Sequence, residues 1–143
     1  DLHKAIRRQR QMCIRDRNSI KGIGTINAMN TIIHTNNFQA FETARQYACY
    51  LGIAPFEHSS GTSIKGKTRV YPTGAKLLKA DLSQAANSAI VWDKEMKEYY
   101  ERKRKEGKAY GVVLNAVKFK LVGRMFAVVK RGTPFVELMT YKK

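Results

Sequence analysis

Residues 110–129 form the longest apolar-rich stretch of the chain, and the residues that interrupt it decide what it can be. Asn115, Lys118, Lys120 and Arg124 fall inside it, and a membrane span needs a nearly charge-free apolar run. The remaining possibility is one long amphipathic helix over residues 111–130. Val113, Val117, Lys120 or Leu121, Arg124 and Val128 then stack one turn apart, and Gly132 and Pro134 end the helix.

The rest of the chain follows the same helical logic. Ser19-Ile20-Lys21-Gly22-Ile23-Gly24-Thr25-Ile26-Asn27-Ala28 reads as a tight Gly-x-Gly turn opening a helix that dissolves at Thr35-Asn36-Asn37. Ile20, Ile23, Ile26 and Ala28 are expected to face the core. A second helix over 41–51 places Phe41, Ala44, Tyr47, Ala48 and Leu51 on one face, with Gly52 as its stop and Pro55 preventing its resumption. Thr73 can cap a third helix to about residue 90, with Leu77, Leu78, Leu82, Ala85, Ala86 and Ala89 as its apolar stripe. A charged helix over 93–105 closes at Gly107. No stretch alternates convincingly at period two, and Val70-Tyr71 comes nearest. The expected fold is mainly α: a compact helical domain with an N-terminal helix–hairpin–helix-like element and a long basic Ser/Gly loop. Residues 1–17 read as a basic arm, 18–136 as the domain and 137–143 as a tail. Within the arm, Gln11-Met12-Cys13-Ile14-Arg15-Asp16-Arg17 looks like a translated sequencing adaptor and receives little functional weight. The start at Asp1 suggests a piece of a longer protein.

Charge points to a partner. The chain has 143 residues, 27 Lys and Arg against 11 Asp and Glu, and a formal net charge of +16. Like charges repel, so such an excess opposes compactness and usually reflects a polyanion, with nucleic acid ahead of an anionic membrane surface. The cations outside the arm fall in three groups. Lys65, Lys67, Arg69, Lys76 and Lys79 form the first, and Lys118, Lys120, Arg124, Lys130 and Arg131 another; these two are the expected phosphate contacts. The group between Lys94 and Lys108 is offset by Asp93, Glu95, Glu98, Glu101 and Glu106, and suits a salt-bridged solvent face. Cys13 and Cys49 fit neither metal spacing nor a disulfide framework, so a reducing, cytoplasmic setting is expected.

Two segments carry chemistry. The Gly22-Ile23-Gly24 turn resembles a helix–hairpin–helix element, in which glycines admit a close backbone approach to DNA and the next helix start, at Thr25, aims N–H groups at a phosphate. Such contacts are independent of sequence. The run His58-Ser59-Ser60-Gly61-Thr62-Ser63-Ile64-Lys65-Gly66-Lys67-Thr68-Arg69 combines hydroxyls, glycines and cations, with no acid between Glu57 and Asp81. It reads as a flexible loop able to offer a nucleophile and hold a polyanion beside it. The plainer alternative is a solvated basic loop. Other chemistries find little support. His3, His34 and His58 have no metal-ligand neighbour at suitable spacing, acids are too sparse for two-metal nuclease work, and no Gly-x-Ser-x-Gly elbow occurs. What remains is a serine among cations. A hydroxyl can attack a phosphodiester, and Lys65, Lys67 and Arg69 are available in sequence to stabilise the transition-state charge.

Four motifs occur in order: Ser19-Ile20-Lys21-Gly22-Ile23-Gly24, Tyr47-Ala48-Cys49-Tyr50-Leu51-Gly52-Ile53-Ala54-Pro55, Ser60-Gly61 before a basic tract, and Gly132-Thr133-Pro134-Phe135. Together they resemble the C-terminal domain of insertion-sequence transposases of the one-ten/one-sixteen type, which are similar to pilin-gene invertases. The resemblance spans roughly residues 18–136. It implies a DNA recombinase in which Ser60 is the nucleophile and a phosphoseryl–DNA bond the intermediate. It further implies an upstream acidic ribonuclease-H-like domain holding Mg2+, a bridge RNA as partner, and a homo-oligomeric assembly. No cofactor is expected in this chain itself. The DNA- or RNA-contacting set it suggests is Gly22, Gly24, Thr25, Gly61, Ser63, Lys65, Lys67, Arg69, Lys76 and Lys79. Two positions depart from the family pattern. Lys21 stands where Pro is usual, and Tyr71-Pro72-Thr73-Gly74 where Ser-Lys-x-Gly is frequent, which leaves Lys67, Arg69 and Lys76 as substitute cations. The competing expectations are a non-catalytic helix–hairpin–helix nucleic-acid-binding module and an assembly domain built on the last helix.

Overall fold

The computed structural model describes residues 19–54, 59–60, 64–65 and 76–136, the two short pairs by backbone alone. Its described elements are α1 (Thr25–His34), α2 (Ala44–Tyr50), β1 (Ser59–Ser60), β2 (Ile64–Lys65), α3 (Lys76–Trp92), α4 (Lys94–Lys105) and α5 (Tyr110–Arg131). The long α5 is the central strut. It packs against α2, α3 and α4, while α3 also holds α1 and α4. The core between them is built from Leu78, Leu82, Ala85, Ala86 and Ala89 of α3, Val117, Leu121, Val122, Met125 and Val128 of α5, Tyr47 and Ala48 of α2, and Ile20, Ile23 and Met96. Alanines along α3 let neighbouring backbones come close, and larger side chains from α5 fill the space.

The helix boundaries have local causes. Thr43 caps α2 by accepting from the Gln46 N–H at 3.2 Å, while Gln46 Oε1 accepts from the Glu42 N–H at 2.8 Å, a reciprocal arrangement akin to a capping box. This cap starts α2 at Ala44, three residues later than the periodicity predicts. Asp93 caps α4, its Oδ1 accepting from the Met96 N–H at 3.1 Å. Gly52 and Gly132 take left-handed φ values of +66° and +65°, the conformation a glycine stop allows. The predicted stops after α2 and α5 are therefore the observed ones.

Two expected core positions are overturned. Ile26 is 70% exposed and Leu77 is 71% exposed. On α1 the buried line runs through Ala28, Thr31 and Thr35, with Ile26 about 200° around the helix from Ala28. On α3 the inward line begins at Leu78, and Leu77 projects on the outer flank. In each case an apolar side chain lies next to the buried stripe in sequence but not on the helix surface. The last cationic group also changes character. Lys118 is buried, Lys120 lies 4.6 Å over the Tyr99 ring, and Arg124 pairs with Asp93 and Glu95 at 2.5 and 2.6 Å. In place of an exposed cationic stripe, Lys118 is drawn into the packing around α5, while Lys120 and Arg124 turn to the Tyr99 ring and the acids of α4. The α4 face carries the predicted local pairs, Lys94 with Glu98 at 4.0 Å and Lys103 with Glu106 at 2.7 Å.

The ends of the described body meet. The Phe135 N–H donates to Ser19 Oγ at 2.7 Å, and Arg124 lies 4.5 Å over the Phe135 ring. The first and last motifs of the ordered set are thus neighbours in space.

Candidate nucleic-acid interface and serine hairpin

The turn before α1 is built by Ile20 to Ile23. The Ile23 N–H donates to the Ile20 carbonyl at 3.0 Å, and Gly22 has φ +92°, as the third residue of a type II turn requires. A Cβ on Gly22 would lie 2.5 Å from the Ala85 carbonyl oxygen and 2.8 Å from the Ala89 Cβ. Packing on α3 therefore demands glycine at this position. Gly24 differs: it is the exposed N-cap of α1, makes no side-chain cap, and a Cβ there would meet nothing within 4 Å. Thr25 follows it, exposed, as the first helical residue. A helix preceding the turn would fall outside the described residues.

Ser60 belongs to a short antiparallel ladder, where the sequence reads as flexible loop. Ser59 is paired with Lys65 and Ser60 with Ile64, so residues 61–63 connect two strands of two residues each. Three-residue connections are common in hairpins. The pairing fixes the backbone of Ser60 opposite a strand containing Lys65. Gly61, Ser63, Lys67 and Arg69 lie outside the described residues, as does Thr73, the predicted cap of α3.

Lys76 and Lys79 stand on the first turn of α3. Lys76 is exposed, whereas Lys79 is half-buried and donates from Nζ to the Gly52 carbonyl at 3.0 Å. Lys79 thereby ties α3 to the stop of α2, where the chain turns toward the hairpin. Close by is Lys118 of α5, whose pKa is held below the usual lysine range by burial first and by the Lys79 charge second. Sequence spacing assigns Lys118 to a surface stripe, and only helix packing reveals its burial.

On the other side of α2, Phe38 meets Phe126 edge-on at 4.8 Å, and Phe41 leans on Tyr47 at 5.2 Å. Asn36, Asn37 and Phe38 all have left-handed φ values of +47°, +58° and +65°. Thr35 steadies this unusual turn, its Oγ1 accepting from the Phe38 N–H at 2.9 Å. Among the described residues no three His, Cys, Asp or Glu side chains gather to hold a metal ion. No described helix is long and apolar enough to cross a membrane.

The chain is similar to known proteins over most of its length. Residues 18–101 match the model of the Transposase IS116/IS110/IS902 family. The chain is 30% identical over 115 residues to the insertion element IS110 uncharacterized 43.6 kDa protein of Streptomyces coelicolor, covering 80% of this chain and 28% of that protein. It is 26% identical over 119 residues to the pilin gene-inverting proteins of Moraxella bovis and Moraxella lacunata, covering 82% of this chain and 37% of each relative. The chain therefore spans about a third of the length of the curated relatives it matches.

Proposed function

Because the chain belongs to the IS116/IS110/IS902 transposase family, we propose that it is the DNA-binding, serine-nucleophile portion of a recombinase that cuts and rejoins DNA. The observation that carries this reading is the place of Ser60: on a two-stranded ladder, paired into β2 with its Lys65, and between the α2 stop and the basic start of α3. A hydroxyl held there can attack a DNA phosphodiester. The serine oxygen bonds to phosphorus as its proton leaves, and one deoxyribose oxygen departs and takes up a proton. The phosphoseryl bond keeps the energy of the broken phosphodiester, so attack by a deoxyribose hydroxyl rejoins the strand and frees the serine. Cations near the phosphorus stabilise the added charge of the transition state. Lys65, Lys67, Arg69 and Lys76 are the cations in sequence reach of Ser60. The open start of α1 at Gly24 and Thr25 adds a backbone-phosphate contact that does not depend on base sequence.

The relatives are about two to three times as long as this chain, which leaves room for the acidic ribonuclease-H-like domain that the resemblance implies. Magnesium belongs to that domain in this proposal, with a bridge RNA and further protomers completing the recombinase. The test restores the missing portion and the guide RNA, then traps protein on nicked target DNA. Unaltered protein should form a covalent adduct that survives denaturation, Ser59→Ala should keep it, and Ser60→Ala should abolish it. An adduct persisting in Ser60→Ala would remove Ser60 from the reaction.

A further inference from the structure

Phe38, Phe41 and Phe126 line a cleft of about 520 Å³ between the turn after α1, the start of α2 and the end of α5. Small-ligand pockets span roughly 300–1,000 Å³, so the cleft can take a planar ring system. Each phenylalanine packs against the core and is still half-open to solvent. The rings are held in place by other rings. Phe38 meets Phe126 edge-on at 4.8 Å, and Phe41 leans on Tyr47 and Tyr50 at 5.2 and 5.3 Å. Stacking on a wall already fixed costs little further ordering.

The turn that places Phe38 is built against ordinary backbone preference. Asn36, Asn37 and Phe38 have φ values of +47°, +58° and +65°, a region that bulky residues seldom adopt. A single left-handed residue is enough to end a helix, and here three follow one another. The Asn37 N–H donates to the Ile32 carbonyl at 2.8 Å and the Ala40 N–H to the Thr35 carbonyl at 2.9 Å, which locks the turn. Strain of this kind clusters where ligands are clamped.

Polar groups narrow the choice of occupant. Lys130 lines the cleft and is exposed, and exposed Arg131 follows it in sequence. With a net charge of +16, an anionic ligand is favoured over a second, equally cationic copy of the chain. A nucleotide offers both halves: a flat base for the rings and a phosphate for Lys130. Glu42, also on the lining and exposed, can accept from a base amino group. Inside a duplex the neighbours cover both faces of a base, so only an unstacked base can use the rings.

We propose that this cleft captures an unpaired base of single-stranded DNA, stacked against the phenylalanine wall with a flanking phosphate on Lys130. The proposal rests on the proposed function in taking DNA as the source, since cutting and rejoining frees strands from their pairing.

The chain carrying 13C-labelled phenylalanine is titrated with a short single-stranded DNA. Ring resonances of Phe38, Phe41 and Phe126 should shift along one binding curve. Phe41→Leu should weaken single-strand affinity about tenfold, the worth of one base–aromatic stack, and leave affinity for a blunt duplex within about twofold. Lys130→Met should lower the salt slope of single-strand binding by about 0.7, one phosphate contact, and Lys97→Met, exposed among the acids of α4, should not. Rings that stay in place on binding would overturn the capture, as would a folded Phe41→Leu that binds like the unaltered chain or loses duplex affinity equally. Should Phe41→Leu fail to fold, the ring titration and Lys130→Met decide. Tighter binding of an RNA strand of the same sequence would overturn the assignment to DNA. A sedimentation mass that falls on Phe41→Leu without DNA would make a second copy the occupant and overturn the capture. Cleft and nucleophile fail separately. An adduct that persists in Ser60→Ala removes the serine and leaves the cleft, whereas unmoved rings remove only the cleft.

Discussion

Tyr47 is enclosed by α2, α5 and the ring of Phe41, and its hydroxyl faces Thr31 without a well-formed hydrogen bond. Burial pushes the phenol up from 10.0 to about 12, because the phenolate would lose its hydration inside the core. The sign of the consequence follows from linkage. Below pH 10 the phenol is neutral in both folded and unfolded chains, and stability is unaffected. Between about 10 and 12 the unfolded chain ionises first and binds fewer protons, so stability falls by roughly 2–3 kcal/mol across that window. Tyr47→Phe should remove this part of the alkaline loss while leaving neutral-pH stability nearly unchanged, since an unsatisfied buried hydroxyl contributes little. Urea midpoints of both proteins from pH 9 to 12 check the prediction; parallel curves would contradict it. At the same scale Gly22 shows how one residue can serve two ends. Its φ of +92° makes the turn, and its missing Cβ makes room for α3.

At the scale of elements, α4 is the least apolar helix and owes its place to its ends. Asp93 caps it, Met96 anchors it in the core, and Arg124 of α5 grips Asp93 and Glu95 together. The Arg124 and Asp93 side chains are only 10% and 5% exposed, so removing the arginine leaves a buried carboxylate unpaired. Arg124→Met should therefore cost about 3 kcal/mol or more in a denaturant titration, and added salt should change that loss little. Lys94→Ala, which removes an exposed pair with Glu98, should leave the midpoint where it is. Equal effects from the two variants would show that the Arg124 cluster is as solvated as the surface pair.

At the scale of the molecule, some of the cations behind the +16 charge are taken up by the fold. Burial of Lys118, the Tyr99 contact of Lys120 and the ion pairs of Arg124 withdraw part of the α5 stripe from solvent. Lys76 at the start of α3, with Lys130 and Arg131 at the end of α5, stays exposed. DNA binding by this chain should be steeply salt-dependent, falling roughly a hundredfold between about 50 and 200 mM salt for about four neutralised phosphates. Fluorescence anisotropy with unrelated duplexes should give similar slopes, because the proposed contacts are to backbone. A flat salt response would argue against the nucleic-acid reading as a whole.

Local patterning by itself determined the helical class, the order of the helices, their stops at Gly52 and Gly132, and most of the buried stripe on α3. These depend on residues three and four apart and on the φ freedom of single glycines, and both are written in the order of residues. The ordered motifs were enough to point to the family. Tertiary structure alone decided that Ile26 and Leu77 face outward, that Arg124 belongs to Asp93, and that Gly22 is pressed against α3. It also paired Ser60 into a ladder and buried Lys118 among the packed helices. Burial and pairing of this kind depend on which helix lies opposite, and partners 31 to 67 residues away leave no periodic trace in the chain.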